Sequence, residues 1–154
     1  MPPMPNIDTN TPVLVTGATG YVAGWLIRQL LEAGVTVHAA VRDPDNAEKR
    51  AHLDAMAASL PGDIRFFKAD LLDDGSFDAA TQGVGTVFHT ASPFIVQYDD
   101  PQKDLVDPAV NGTENVLRSA SRVDSVKRVV LTSSCAAIFS NINDVLTAPG
   151  GMLT

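Results

Sequence analysis

Residues 12–34 decide the fold of this chain, and they read PVLVTGATGYVAGWLIRQLLEAG. A short run of branched apolar residues leads into a turn that contains Gly17 and Gly20. After the turn, apolar residues recur every three to four positions over residues 22–33, and Gly34 follows them. This pattern predicts a buried strand, a tight turn and an amphipathic helix that ends at a C-terminal glycine.

The same alternation continues along the chain. Further β-rich apolar runs and helical patterns follow in turn: runs at 35–41, 63–69, 85–91 and 128–133, and helices at 45–58, 75–81 and 103–121. Alternating strands and helices favour a parallel sheet with helices on both faces, and near-continuous apolar runs are typical of strands covered on both faces. We therefore predict an α/β fold with an open, doubly wound sheet, whose ligands bind beyond the carboxyl ends of the strands.

The segment 103–121 carries an apolar stripe at helical spacing, with Pro108 near its start. Proline is tolerated in the first turn of a helix, whereas further in it would kink or break the helix. The stripe consists of Val106, Ala109, Val110, Thr113, Val116, Leu117 and Ala120. It predicts one amphipathic helix that begins close to Pro108.

The composition of the 154 residues argues against several classes of protein. The net charge is −7, and because an acidic surface repels phosphate backbones we expect no nucleic-acid partner. No apolar run approaches the roughly 20 residues that a membrane helix needs, so we expect no membrane association. Cys135 is the only cysteine, which rules out an internal disulfide and favours a cytoplasmic location. The three histidines have no second metal-type ligand at a recognisable spacing, so we predict no metal site.

The first residues differ in character from the rest of the chain. Residues 1–11 are rich in proline and polar side chains, and they lack the basic and apolar regions of a secretory signal. We interpret residues 1–11 as a flexible N-terminal tail. Residues 12–154 are long enough to form one domain with a sizeable core.

The turn after the first strand matches a dinucleotide fingerprint. Gly17 and Gly20 stand at the first two glycine positions, and Ala23 occupies the third, where alanine is tolerated. Glycines at these positions allow a tight turn and let backbone N–H groups approach a pyrophosphate at the start of the helix. The candidate cofactor-binding residues of this turn are Thr16, Gly17, Thr19, Gly20, Tyr21 and Val22. The alternative is an ordinary strand–helix turn.

The end of the second strand indicates which dinucleotide would bind. Arg42 stands at the strand end, where a guanidinium can hold the oxygens of a 2′-phosphate, and Lys49 could join it from the next helix. We therefore predict NADPH (NADP) as the cofactor. Asp43 follows Arg42 directly and keeps NAD open, and the alternative for both cations is a solvated surface charge.

The third and fourth strands end in further candidates. Asp70 is placed to accept a hydrogen bond from an adenine amino group, with Leu71 against the ring; the alternative is a turn or N-cap aspartate. After the fourth strand come small residues that would let a ribose lie against the backbone: Thr90, Ala91 and Ser92. His89 is interpreted as a buried polar residue rather than an acid–base group.

The fifth strand ends in a cluster of hydroxyl groups, Thr132, Ser133 and Ser134. In the predicted sheet they lie beside the end of the fourth strand, where a nicotinamide would be. Ser134 is the candidate catalytic residue, whereas Thr132 is a candidate for the cofactor face. The alternative for Ser134 is a turn or helix N-cap serine.

These motifs together resemble the extended short-chain dehydrogenase/reductases, of the dihydroflavonol reductase/cinnamoyl-CoA reductase branch. The resemblance extends over about residues 12–141 and rests on six segments: VTGATGYVAGWLIRQLLEAG, VRDPDNAEK, ADLLDDGSF, VFHTASPF, VNGTENVL and RVVLTSSCAAIF. It implies a Rossmann-type sheet of strand order 3-2-1-4-5, followed by a smaller substrate domain. It also implies that Arg42 and Lys49 hold the 2′-phosphate, and that Ser134 is catalytic.

The chemistry that the resemblance implies is hydride transfer from NADPH to a ketone or aldehyde carbonyl of a small molecule. Ser134 would hydrogen-bond the carbonyl oxygen, a tyrosine would supply the proton, and a lysine four residues later would lower the pKa of that tyrosine. Tyr21 and Tyr98 are the only tyrosines, and neither has a lysine at the fourth position after it. We therefore expect residues 12–154 to be an incomplete NADP-binding domain, inactive alone and without the last strands and the substrate domain.

Some questions stay open at the level of sequence. Asn111 falls where many short-chain dehydrogenases carry a structural and catalytic asparagine, and the 103–121 helix is of a kind that family dimers use. One alternative function is a non-catalytic NAD(P)-binding sensor or interaction module. Another is an NAD-dependent nucleotide-sugar epimerase or dehydratase, because those enzymes share the glycine turn and the serine.

Overall fold

The computed structural model describes residues 8–93, 97–134, 137 and 142–147. Strands and helices alternate as the sequence predicts. The strands are β1 (Val13–Thr16), β2 (Thr36–Val41), β3 (Asp63–Lys68), β4 (Thr86–His89) and β5 (Arg128–Leu131). The helices are α1 (Tyr21–Glu32), α2 (Ala47–Ser59), α3 (Asp78–Thr81), α4 (Asp107–Ser121) and α5 (Ile142–Thr147), with a π-helical turn at Gln102–Val106.

All five strands are parallel, and their order across the sheet is β3-β2-β1-β4-β5. This is the predicted Rossmann-type order. Thr16, at the end of β1, pairs in register with Ala40 of β2 and with His89 of β4, and His89 pairs with Leu131 of β5. The carboxyl ends of the strands therefore form one edge, and the residues that follow them meet there.

The sheet lies between two apolar layers. On one face Val13 and Val15 of β1 pack with Ile27 and Leu30 of α1, and α2 adds Leu53. The opposite face carries Leu14, Ala40 and Val87, which pack with α3 and α4. Neighbouring residues of one strand thus enter different layers, and β1 is buried along its whole length.

Helix α4 buries only part of its predicted apolar stripe, and its buried face is shifted toward Gly112, Asn115 and Ser119. Its buried residues are Gly112, Asn115, Val116, Ser119 and Ala120. Val110 and Leu117 of the predicted stripe are exposed, by 50% and 42%. Two contacts explain the orientation. Gly112 lies so close to Leu71 that an added Cβ would be 2.8 Å from the Leu71 Cβ, and the Asn115 side chain is hydrogen-bonded to the loop after β3. Pro108 lies in the first turn, as expected.

Strand β5, like β3 at the opposite edge of the described sheet, is only partly covered, contrary to the expectation that every strand is buried on both faces. Within the described residues it pairs with β4 alone. Val130 and Leu131, which point to opposite faces of the sheet, are 41% and 52% exposed. The hydrogen bonding continues one residue past the strand, because the Thr132 amide donates to the His89 carbonyl oxygen at 3.0 Å.

The start of the described chain is ordered by local contacts. The Asp8 carboxylate accepts hydrogen bonds from the Thr11 hydroxyl and the Asn10 amide, which lower its pKa. The Thr11 side chain lies against Gly85. Residues 1–7 of the predicted tail lie outside the described residues. Among the helices that the structure describes, none combines the length and the apolar character needed to cross a membrane.

Candidate functional site

A cavity of about 540 Å³ lies at the carboxyl ends of β1 to β4. The predicted residues that line it are Gly17, Thr19, Gly20, Arg42, Asp70, Leu71, Thr90, Ala91 and Ser92. It also has walls that were not predicted, formed by Phe77, Pro93, Asp104 and Pro108. An adjoining cavity of about 630 Å³ shares Arg42 and Asp70 with it. Together they form one cleft, lined by both polar and apolar residues, that we call the strand-end cleft.

The glycine turn forms one wall of the strand-end cleft and needs its glycines. Gly17 has a φ angle of +64°, which side chains rarely adopt. A Cβ on Gly17 would lie 3.0 Å from the Ala91 Cα, so the turn and the loop after β4 are in direct contact. A Cβ on Gly20 would lie 3.1 Å from the Gly17 carbonyl oxygen. Because neither glycine carries a Cβ, the backbone of this turn can also approach a ligand closely.

The N-terminus of α1 opens at this turn. Gly20 is the N-cap residue, it supplies no side-chain hydrogen bond, and the first turn of α1 contains no acidic residue. By contrast, α2 is capped by the Asn46 side chain, which accepts from the Lys49 amide at 3.0 Å. The first amides of α1 have no capping side chain and carry the positive end of the helix dipole, as an anion-binding helix start requires.

Arg42 is one of the two cationic residues that line the cleft. It lines both of its cavities, and the described residues offer it no hydrogen bond or ion pair. The other arginines differ, because most of them reach a carboxylate: Arg28, Arg50, Arg65, Arg118 and Arg122. An unpaired guanidinium at the rim of a cleft is available to a ligand phosphate.

The structure separates two lysines that could assist Arg42. Lys49 is exposed in the first turn of α2 and lines neither cavity of the cleft. Lys68, which sequence reasoning missed, lines the 630 Å³ cavity together with Arg42. The signal for Lys68 lies in the register, since it pairs with Val41, the residue before Arg42. Asp70 and Asp73 line the same cavity, so carboxylates offset part of this positive charge.

The loop after β3 is held from α4 by Asn115, another residue that sequence reasoning missed. The Asn115 amide nitrogen donates to the carbonyl oxygens of Asp73, at 2.7 Å, and of Leu71, at 3.2 Å. Its side-chain oxygen accepts from the Gly75 amide at 2.9 Å. Asn115 is 2% exposed, whereas Asn111, the asparagine singled out in the sequence, is exposed. The only signal for Asn115 would have been a polar residue on a helix that packs against the sheet.

Asp70 takes the turn position that was the alternative for it, and it lines the cleft as well. One carboxylate oxygen accepts from the Leu72 amide at 3.0 Å. Its backbone is tied to the Ser76 hydroxyl, which donates to the Asp70 carbonyl oxygen at 2.7 Å. The loop therefore presents Asp70 and Leu71 to the cleft from a fixed backbone.

Thr16 and His89 join the ends of β1 and β4 beneath the cleft. Thr16 is fully buried and does not line either cavity, so its place differs from that of the other candidates in the turn. The Thr16 hydroxyl lies 2.8 Å from the His89 Nδ1 atom. His89 is 1% exposed, which agrees with its interpretation as a buried polar residue, and burial lowers the pKa of its imidazole.

The remaining candidates lie outside the cleft. Tyr21 is 84% exposed and, with Trp25, lines a third cavity of about 310 Å³, which meets the cleft at Thr19 and Gly20. Val22 is also exposed. Thr132 and Ser134 are exposed after β5 and line neither cavity of the cleft. The Ser134 carbonyl oxygen accepts from the Ala137 amide at 3.0 Å. Cys135 lies outside the described residues. The described part of the chain holds no cluster of three residues that could ligate a metal.

Comparisons with known proteins find reductases. A cinnamoyl-CoA reductase of Medicago truncatula is 49% identical over 138 residues, which cover 90% of this chain and 42% of that protein. An anthocyanidin reductase of Vitis vinifera is 46% identical over 127 residues, which cover 82% of this chain and 37% of that protein. The chain thus spans about two fifths of the length of these relatives. The predicted resemblance to the cinnamoyl-CoA reductase branch is confirmed.

A solved structure and a family comparison also match this chain over most of its length. The crystal structure of Gre2 from Candida albicans in complex with NADPH superposes on this chain with a TM-score of 0.72, at 34% sequence identity. The superposition covers 84% of this chain and 38% of the Gre2 chain. The pattern of the 3-beta hydroxysteroid dehydrogenase/isomerase family matches residues 14–148. This match extends over most of the 154 residues, and the chain therefore belongs to the 3-beta hydroxysteroid dehydrogenase/isomerase family.

Proposed function

We propose that this chain is the cofactor-binding half of an NADPH-dependent reductase that transfers a hydride to a ketone or aldehyde carbonyl. The observation that carries the proposal is the strand-end cleft, where the glycine turn shares one cavity with Arg42, which pairs with none of the described residues. The reductases among the relatives, and the NADPH complex of Gre2, support it. When bound, the nicotinamide of NADPH would supply the hydride. The residues of this chain would bind the cofactor and orient the substrate.

The diphosphate would be held by backbone rather than by side chains. The uncapped amides at the start of α1 face a turn in which Gly17 and Gly20 leave no Cβ. Backbone N–H groups at a helix start bind phosphate without the conformational entropy cost of ordering a long side chain. The fit is good because the first turn of α1 contains no carboxylate that would repel the ligand.

Arg42 would bind the 2′-phosphate and so select NADPH over NADH. Its guanidinium is not engaged by a carboxylate among the described residues, so binding would require no ion pair to be broken. Lys68 lies at the same cavity and is better placed than Lys49 to add a second positive charge. The adenine would lie beside Asp70 and Leu71, on the loop that Asn115 holds.

Ser134 would hydrogen-bond the substrate carbonyl oxygen as negative charge develops on it. It follows β5, next to the end of β4 in the sheet. The proton donor and its lysine would come from the rest of the full-length protein, since Tyr21 and Tyr98 lack a lysine at the fourth position after them. We also propose that residues 12–154 form an incomplete Rossmann domain, and that the remaining part covers β5.

Cofactor selectivity tests the proposal most directly. The dissociation constants of NADPH and NADH are measured by calorimetry for the intact protein and for Arg42→Ala. We expect Arg42→Ala to weaken NADPH binding by about ten- to hundredfold, the loss of a charge-assisted contact of about 1.5–3 kcal/mol, and to leave NADH binding unchanged. Arg65→Ala is the matched control, because Arg65 is an exposed arginine on β3 that pairs with Asp63.

Two further substitutions identify the second cation. Lys68→Met should weaken NADPH binding more than Lys49→Met if the cavity geometry governs the contact. Equal affinity for NADPH and NADH in the unmodified protein would refute the 2′-phosphate role of Arg42. It would favour the NAD-dependent epimerase or dehydratase alternative instead. Binding without any carbonyl reduction by the intact protein would favour a non-catalytic sensor.

A further inference from the structure

The Thr16 hydroxyl makes three hydrogen bonds beneath the strand-end cleft. It lies 3.2 Å from the Thr90 amide nitrogen, 3.1 Å from the Ala91 amide nitrogen and 2.8 Å from the His89 Nδ1 atom. In return, the Thr90 hydroxyl donates to the Thr16 carbonyl oxygen at 2.6 Å. Since Thr16 and His89 are 0% and 1% exposed, these groups compete with little or no water.

The hydrogen bonds of the Thr16 hydroxyl determine which ring nitrogen of neutral His89 carries the hydrogen. A threonine oxygen carries one hydrogen and two lone pairs. Both lone pairs accept backbone amides, from Thr90 and Ala91, so the one hydrogen points at His89 Nδ1. Nδ1 must then be an acceptor, which places the ring proton on Nε2. The register partners of His89, Thr16 and Leu131, carry no charge that would favour imidazolium.

The other buried histidine has the opposite tautomer. His38 Nδ1 lies 2.8 Å from the Ala80 carbonyl oxygen, which can only accept, so Nδ1 of His38 carries the proton. The third histidine, His52, is exposed on α2. One chain therefore contains an Nε2-protonated, an Nδ1-protonated and a solvent-exposed imidazole, which serve as internal references for one another.

We propose that Thr16 and His89 are positioning residues that hold the loop after β4 against the glycine turn. Ala91 is the residue that Gly17 contacts, and both Thr90 and Ala91 line the cleft. A proton on His89 Nδ1 would leave the Thr16 oxygen with three donors for two lone pairs, and one of the two amides would lose its acceptor. The inference rests on the proposed cofactor function, because the held loop forms a wall of the cleft.

The first test reads the tautomer directly. In the intact protein labelled with ¹⁵N-histidine, the nitrogen shifts of His89 at neutral pH should show hydrogen on Nε2, and those of His38 should show hydrogen on Nδ1. The His89 signals are assigned by their loss in His89→Asn. A proton on Nδ1 of His89 would overturn the proposal. This measurement needs no cofactor, so it stands even if NADPH binding itself is not found.

The second test separates positioning from packing. Thr16→Val keeps the shape and removes the hydroxyl, and we expect about tenfold weaker NADPH binding or more, since buried amides lose their acceptor. Thr16→Ser keeps the hydroxyl and should restore the affinity to near that of the unmodified protein. Wild-type affinity in Thr16→Val would overturn the proposal.

A second pair of variants serves if Thr16→Val does not fold. His89→Asn places an oxygen where Nδ1 stood, whereas His89→Phe keeps the ring and offers no acceptor. We expect NADPH to bind more tightly to His89→Asn than to His89→Phe. The reverse order would contradict the proposal. Absence of NADPH binding by the unmodified protein would refute the proposed function, and the tautomer measurement would then decide the Thr16–His89 pairing alone.

Discussion

Strands β1 and β5 differ in how well the described residues cover them. All four residues of β1 are buried, and hydrogen bonds and close contacts tie its end to β4 and its loop. In β5, by contrast, Arg128, Val130 and Leu131 are exposed, and β4 is its one partner among the described strands.

The contrast separates two parts of the proposed site. The cofactor part is built around β1, and its walls, charges and hydrogen bonds come from elements within this chain. The catalytic part depends on Ser134, which follows the exposed strand. Cofactor binding should therefore respond to substitutions near β1, whereas turnover should respond to those after β5. Substitutions in the two regions test this division between cofactor binding and turnover.

The largest effect is expected at Ser134. Ser134→Ala in the intact protein should lower kcat for carbonyl reduction by about 10²–10³-fold, because one hydrogen-bond donor to the developing oxyanion is lost. The dissociation constant of NADPH should stay the same. Steady-state kinetics and calorimetry measure the two quantities. Ser133→Ala is the matched control, a neighbouring hydroxyl removed, and it should change kcat little. Equal losses for the two variants would contradict a specific role for Ser134.

A substitution at Gly17 should have the opposite effect, because it should change NADPH binding, which Ser134→Ala leaves unchanged. Gly17→Ala and Gly34→Ala both place a Cβ at positive φ, 64° and 82°, and each should lower the free energy of unfolding by about 1–2 kcal/mol. Only the Cβ on Gly17 meets a neighbour, the Ala91 Cα at 3.0 Å, whereas nothing lies within 4 Å at Gly34. We therefore expect only Gly17→Ala to abolish NADPH binding. Denaturant titration and calorimetry test both effects, and unchanged binding in Gly17→Ala would break the comparison.

Asn115 tests the loop after β3. Asn115→Ala leaves the Gly75 amide and the Asp73 carbonyl without their partner, so the free energy of unfolding should fall by about 1–3 kcal/mol. Binding of ADP-ribose should weaken as well, because the loop carries Asp70 and Leu71. Asn111→Ala is the control; at an exposed position we expect a change within about 0.5 kcal/mol. A larger loss in Asn111→Ala would restore the role first considered for Asn111.

The smallest effect concerns pH. Burial lowers the pKa of His89 below its ordinary value of 6.5, so the folded state resists protonation. Below about pH 6.5 the unfolded chain binds more protons than the folded chain, and stability falls as the pH falls until the folded pKa is passed. We expect the Tm of the unmodified protein to drop more between pH 7 and pH 5 than that of His89→Asn. Parallel curves for the two proteins would show that His89 contributes nothing to acid sensitivity.

Much of the cleft could be predicted because its signals are local. The glycines of the turn, Arg42 after β2 and the small residues after β4 each stand directly beside a strand end. In a parallel sheet all strand ends meet at one edge, so a correct list of strands already brings these residues together. The strand order came from the resemblance to known reductases, and the structure confirms it.

The errors and omissions arose where distant elements meet. The apolar stripe of α4 predicted a helix correctly, yet Val110 and Leu117 are exposed because Gly112 and Asn115 face the loop after β3. To identify Lys68 as a cleft residue, one needs the register of β2 with β3, because it pairs Lys68 with Val41. Periodicity identifies a helix, but it does not choose between faces when a polar side chain has specific partners in another element.

The sequence by itself determined the alternation of strands and helices, the glycine turn and the cation after β2, because each depends on residues that are neighbours along the chain. Only the tertiary structure decided which face α4 buries, that Asn115 holds the loop after β3, and that Thr16 and His89 join β1 to β4. Those features depend on hydrogen-bond partners that are 40 and 73 positions apart in the sequence, and the pairing of such groups follows from packing rather than from local pattern.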